Sequence, residues 1–294
     1  MTELEIDTGV NHDASQIGVI TFEGHEMGSA RVQSQVISDG FVAARRSATA
    51  LAAFPGVLPE TLAEAYAVQN KSLARWPEPV AGWKIGMIAP PLRARFGEER
   101  LAGPIFGPRV QIYRPGSVAK AALIKGGYGA IEAEFILRLA VDVSESAPID
   151  SEDALAGLVA AMHVGVELAG SPFKGINDLG PTSVISDFGN NAGLIVGPTV
   201  SSWRTRPLSS LTVRTIINGA VAGEGRAANV LNGPLAALKF LIENCRERQI
   251  ALRAGQYVST GAVTGIHDVT PPATSTVDYG PFGKIEIEVI EAKG

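Results

Sequence analysis

The segment Glu132-Ala133-Glu134 sets two carboxylates two residues apart, and on a strand such positions project from the same face. Two like charges held that close cost free energy unless a cation or protons neutralise them. A third acid, Glu167, sits among Val164, Val166, Leu168 and Ala169, so an ionised carboxylate there needs compensation. His163, Gly165 and Glu167 share one face of that later strand. Three convergent carboxylates would form a hard oxygen site for Mg²⁺ or Mn²⁺, with room left for water or a chelating ligand. No Cys/His cluster accompanies the acids, which disfavours zinc. The same spacing also describes a solvated strand face, the reading given to Glu286 and Glu288, and spacing alone leaves both open.

Gly82-Trp83-Lys84-Ile85-Gly86 places a lysine on a short apolar strand between glycines. Lys84 either snorkels to water or, beside an anionic metal site, holds a carboxylate or moves a proton. Val258-Ser259-Thr260-Gly261 offers hydroxyls and a backbone amide at a strand end; it is either a grip for a carboxylate or an ordinary strand-to-loop transition.

These residues need strands to carry them. Alternation over 131–141 puts Ile131, Ala133, Phe135, Leu137, Leu139 and Val141 on one face, with Glu132, Glu134 and Arg138 on the other. Further strands are expected over 163–168, 211–218, 257–263 and 284–290, and Asn218-Gly219 signals a tight hairpin turn. Helices are expected over 41–53, 59–75, 151–162 and 232–248; Ser151 is a candidate cap and Pro234 lies in a first turn. Residues 1–40 are polar without sustained period and read as a weakly ordered extension. The expected organisation is this extension, a helical part over 41–80, and a β-rich metal-binding domain over 81–294. The fold class is α+β.

Composition narrows the partners. Hydrophobic residues make up 46% and charged residues 19% of the 294 residues, as in soluble globular proteins. The formal charge of −5 includes no basic stripe, which argues against a nucleic-acid partner. No apolar run approaches a bilayer span, no secretory leader pattern is present, and the single Cys245 fits a reducing compartment, so the cytoplasm is expected. A Gly219-to-Gly225 glycine cluster lacks the strand–turn–helix context of a dinucleotide site.

In order, Gly82-Trp83-Lys84-Ile85-Gly86, Ile131-Glu132-Ala133-Glu134-Phe135, Gly165-Val166-Glu167, Ser186-Asp187, Asn191-Ala192-Gly193, Gly233-Pro234-Leu235-Ala236-Ala237-Leu238 and the 255–261 stretch resemble the 2-keto-4-pentenoate hydratase family of the fumarylacetoacetate hydrolase superfamily. The resemblance implies a mixed β-roll domain behind N-terminal helices, usually in a homo-oligomer. It implies Mg²⁺ or Mn²⁺ on Glu132, Glu134 and Glu167, catalytic roles for Lys84 and Asp187, and a substrate carboxylate at Thr260 and Gly261. The implied activity is addition of water to an unsaturated 2-oxo acid in the catabolism of aromatic compounds. Alternatives are a 4-oxalocrotonate-type decarboxylase, an acylpyruvate C–C hydrolase, or an inactive 2-oxo acid binding protein of the same fold. The chain departs from the family where Phe188-Gly189-Asn190 follows Asp187, where Gly103-Pro104-Ile105-Phe106-Gly107 lacks an acid, and where Asn232-Gly233-Pro234 precedes the late helix. All three touch the substrate end.

Overall fold

The computed structural model describes residues 20–205 and 211–294. Helix α1 (Ile20–Arg46) starts within the stretch expected to be irregular and ends before the predicted stop at 53. Its C-terminal part buries Ile37, Phe41 and Val42, and two arginines in the last turn suit the negative end of the helix. Residues 1–19, the remainder of the expected extension, lie outside the described residues. Helix α2 (Leu62–Arg75) opens on a capping box, in which the Thr61 hydroxyl accepts from the Glu64 amide and the Glu64 carboxylate accepts from the Thr61 amide.

The rest of the chain alternates strands with short helices. In order come β1 (Val80–Met87), α3 (Pro90–Phe96), β2 (Arg100–Phe106), β3 (Val110–Ile112), β4 (Val118–Leu123) and β5 (Tyr128–Leu139). They are followed by α4 (Glu152–Gly157), β6 (Val159–Ser171), α5 (Pro181–Ser186), β7 (Asn191–Thr199), β8 (Thr212–Ile217) and β9 (Ala220–Arg226). Then come α6 (Pro234–Glu247), β10 (Tyr257–Ser259), β11 (His267–Asp268), β12 (Ala273–Asp278) and β13 (Lys284–Glu291).

One sheet runs β2-β1-β10-β5-β6-β7-β3, with β11 paired to β5, and a second runs β4-β13-β12-β8-β9. Helices leading into two curled mixed sheets give the α+β architecture expected from the sequence. The largest core lies among the two sheets and α6; Ile131, Ala133, Phe135, Leu137 and Leu139 point into it, as the alternation predicted, whereas Val141 lies past the end of β5 and is exposed. A second core packs α1, α2 and α5 onto the other side of the first sheet.

Two further boundaries differ from the sequence reading. The helix expected over 151–162 stops at Gly157, because β6 begins at Val159 and pairs with β5 as far as Ser171. That ladder buries Val164, Val166 and Leu168, and burial overrides the local helical preference. The strand expected over 257–263 ends at Ser259, since Gly261 takes a positive φ of 114° that breaks the strand. Asn218 and Gly219, both with positive φ, form the predicted hairpin turn between β8 and β9, and Gly223 and Gly225 belong to β9.

Candidate metal centre and active-site cavity

Register brings the acids together. In the antiparallel β5–β6 ladder Glu132 lies opposite Glu167, and Glu134 lies opposite Gly165. Directly opposed residues share a face, so all three carboxylates leave the sheet on the same side. They offer one oxygen each within 4.8 Å of one another. Tyr279, fully buried, donates its hydroxyl to the Glu134 carbonyl at 3.0 Å and also contacts the Gly165 carbonyl, bracing the ladder where the acids sit.

The neighbours of each acid divide its oxygens into satisfied and free. Glu134 Oε2 accepts from the Ser259 hydroxyl at 2.6 Å and the Gly261 amide at 2.8 Å, while its Oε1 is buried with no hydrogen-bond partner. Glu167 Oε1 accepts from the Asn191 amide at 3.2 Å and lies 3.2 Å from Lys84 Nζ; its Oε2 is likewise buried and unpartnered. Glu132 faces the cavity. Orphaned buried carboxylate oxygens are costly in a folded protein. A hard divalent cation satisfies them, so the donor set present fits such an ion.

Electrostatics agree. Burial, then the charge of Glu167, pushes the Glu132 carboxyl up to about 8, against the opposing pull of Lys84. Burial and the other two acids hold Glu134 well above the usual carboxylate range, although Ser259 and Gly261 stabilise its charged form. Burial opposes the Lys84 ammonium, but the three glutamates outweigh it and raise its pKa. With a divalent ion among three carboxylates one negative charge is left over, and the Lys84 ammonium cancels it.

Lys84 comes from the opposite side of the first sheet's centre. On β1 it pairs with Ser259 of β10 and with Gly103 of β2. A turn with three successive positive φ values, Phe188, Gly189 and Asn190, closes over it. Asn190 Oδ1 accepts from Lys84 Nζ at 3.3 Å, and Asn190 Nδ2 donates to Asn177 Oδ1 at 3.0 Å. Gly103 is required beneath that turn, because a β-carbon there would stand 2.3 Å from the Phe188 carbonyl oxygen. Lys84, Glu132, Asn177 and Asn190 all line one cavity of about 340 Å³ whose remaining wall is mainly apolar.

Not every residue predicted from the sequence reaches this cavity chemistry. Thr260 lines the wall, but its hydroxyl donates to the Phe135 carbonyl at 2.8 Å, and the Gly261 amide is spent on Glu134. Gly261 therefore helps hold the acidic cluster, while Thr260 ties its loop to the β5 backbone beside it. Asp187 does not line the cavity; its carboxylate is held by the Arg45 guanidinium, including a 3.0 Å contact to Oδ2. Arg45 also donates to the carbonyls of Asn191 and Gly170, at 2.9 Å each, so the pair ties α1 to the turn that carries Asn190. Asn177 escaped notice in the sequence, and Ser259, Asn190 and Asn191 were read only as parts of longer stretches, since each is a common turn or strand-end residue. Only the left-handed turn that presents Asn190 could have pointed to it.

No family model matches the chain. The 4-oxalocrotonate decarboxylase of Pseudomonas putida is 26% identical over 238 residues, spanning 78% of this chain and 86% of that protein. The 2-oxo-hept-4-ene-1,7-dioate hydratase of Escherichia coli is 30% identical over 106 residues, 36% of this chain and 40% of that one. The solved structure of the decarboxylase from P. putida G7, complexed with magnesium and adipate, covers 88% of this chain and 98% of its own at a TM-score of 0.72 and 24% identity. The chain is thus similar to a 4-oxalocrotonate decarboxylase along most of its length and to the hydratase over part of it, and it shares the fold of the solved decarboxylase. These relatives are enzymes by name, and the buried acidic cluster fits a divalent ion such as the one named in that solved structure.

Proposed function

We propose that this chain is a divalent-metal-dependent hydratase that enolises an unsaturated 2-oxo acid and then adds water to its distal double bond. The observation that carries the reading is the pair of orphaned oxygens on Glu134 and Glu167, set beside Lys84 at the wall of one cavity. Mg²⁺ or Mn²⁺ bound by Glu132, Glu134 and Glu167 would supply Lewis-acid stabilisation of negative charge on the 2-oxo oxygen. The chain's own groups do the remainder. Ser259 and the Gly261 amide fix the Glu134 carboxylate, and Asn191 fixes that of Glu167. Lys84 Nζ either holds the substrate carboxylate or passes a proton to the chain of the enolised acid, oriented for this by Asn190 and, through it, Asn177. The apolar wall limits water to the reacting end.

Decarboxylation is the second reading, favoured by the relative matched along most of the chain. The same enolate would form when carbon dioxide leaves, so the ligand set serves either outcome. The test offers the Mg²⁺-loaded protein 2-oxopent-4-enoate and 4-oxalocrotonate and follows products, together with solvent deuterium exchange at C3 of a saturated 2-oxo acid. Exchange that needs the metal, with hydrated product, supports the proposal. Carbon dioxide release without hydration shifts it to the second reading, and absence of exchange in the loaded protein sinks both.

A further inference from the structure

The cavity holds a second cation that the chemistry above does not use. Arg100 opens β2, where it pairs with Met87 of β1; it is only 8% exposed, it lines the cavity, and its guanidinium reaches Leu231, another residue of the cavity wall. Gly103, the partner of Lys84, lies three residues further along the same strand. Strand rise of about 3.3 Å per residue therefore separates the two attachment points by about 10 Å along the sheet. Leu101, Ile88 and Val230 contribute apolar wall to the same cavity.

The guanidinium is under-used. It donates to the Leu231 carbonyl, and among the described residues it forms no ion pair; Glu99, its chain neighbour, pairs with Arg93 instead. An arginine carries five donors in a planar fork matched to a carboxylate, and most of this fork has no acceptor. Burial disfavours the charge of Arg100 more than nearby Glu99 favours it, and an anion at the free part of the fork would offset that cost.

We propose that Arg100 is the specificity-determining residue of this cavity, pairing with the distal carboxylate of a dicarboxylic 2-oxo acid whose 2-oxo end lies at the acidic cluster and Lys84. The assignment of that end rests on the 2-oxo acid reading of the site. It also bears on the reaction: a guanidinium stabilises the carboxylate it holds and so opposes its departure as carbon dioxide, whereas hydration leaves it intact.

The test is binding of two saturated ligands of equal chain length, 2-oxoadipate and 2-oxohexanoate, which have no double bond to hydrate, to the Mg²⁺-loaded protein by titration calorimetry. The wild-type chain is expected to bind the diacid about 10- to 100-fold more tightly, as for one charge-assisted pair. Arg100→Gln abolishes that preference while leaving the affinity for 2-oxohexanoate within about threefold; Arg100→Lys keeps part of it. A purely structural role, in which Arg100 only anchors Leu231, would weaken both ligands together. Equal weakening, or a wild-type protein without preference for the diacid, overturns the proposal. Should Arg100→Gln not fold, the intermediate preference of Arg100→Lys decides in its place. An Arg100-dependent preference in a protein that turns over no 2-oxo acid keeps the subsite and discards the hydratase reading instead.

Discussion

Glu132 and Glu167 are direct cross-strand partners on β5 and β6, both buried, with no hydrogen bond between them. Like charges opposed in a ladder are destabilising, so the sheet tolerates the pair only with protons or a cation between them. Glu167→Gln keeps the shape and the acceptor for Lys84 and Asn191 but removes a charge. We expect Mg²⁺ or Mn²⁺ affinity to fall at least ~10-fold, since this ligand change should exceed typical losses from outer-shell substitutions. Calorimetric titration of the metal checks it, and unchanged affinity removes Glu167 from the ligand set.

The pH dependence of the metal-free protein follows from the same pair. Glu132 is raised from the ordinary carboxylate value to about 8 by burial and Glu167. A carboxyl raised in the folded state favours folding fully at pH below its unfolded value, and that contribution is lost as pH rises through the folded value. The Tm of chelator-treated protein should therefore decline between about pH 5 and about pH 9, apart from changes at other groups. Excess Mg²⁺ should flatten the decline and add about 2.7 kcal/mol at a hundred times its Kd. A metal-free Tm that rises over this range would contradict the assignment.

The sequence carried the strand faces and the acids more fully than the supporting groups. Period-two alternation assigned Glu132 and Glu134 to one face, because β5 keeps one apolar side in the core over its whole length. Their meeting with Glu167 was a matter of register between strands, which alternation does not specify and which the β6 boundary at Val159, read as helix, concealed. Asp187 was taken for a polar group near substrate, and its partner Arg45 lies in α1, too distant in sequence for any pattern to connect them. Thr260 and Gly261 line the cavity, and their donors go to Phe135 and Glu134, since a strand end offers its donors to whichever acceptor the register supplies.

Lys84 is the next lever. Lys84→Ala removes the ammonium that faces Glu167 but touches none of the three carboxylates that would bind the ion. Turnover should fall by about 10²- to 10⁴-fold in kcat, the range for loss of a positioned proton-transfer group. Metal should still bind, though more carboxyl protons will be released on binding, because the cation that favours the charged acids is gone. Turnover within a few fold of wild type would strip Lys84 of the role.

Gly103→Ala separates positioning from ligation. The added methyl would meet the Phe188 carbonyl oxygen at 2.3 Å and the Gly189 α-carbon at 2.7 Å, both backbone, so the turn must shift. That turn presents Asn190 to Lys84, whereas the acids stand on β5 and β6 and are held by Ser259, Gly261 and Asn191. We expect kcat to drop ~10-fold or more and stability to fall by about 1–3 kcal/mol in urea unfolding, the usual cost of overpacking. Metal affinity should stay within about threefold, because no contact of the three acids is disturbed. Gly107→Ala is the control at the end of the same strand, since a methyl there meets its nearest neighbour at an ordinary 3.6 Å. If Gly107→Ala and Gly103→Ala lower kcat alike, the turn over Lys84 is not what positions the ammonium.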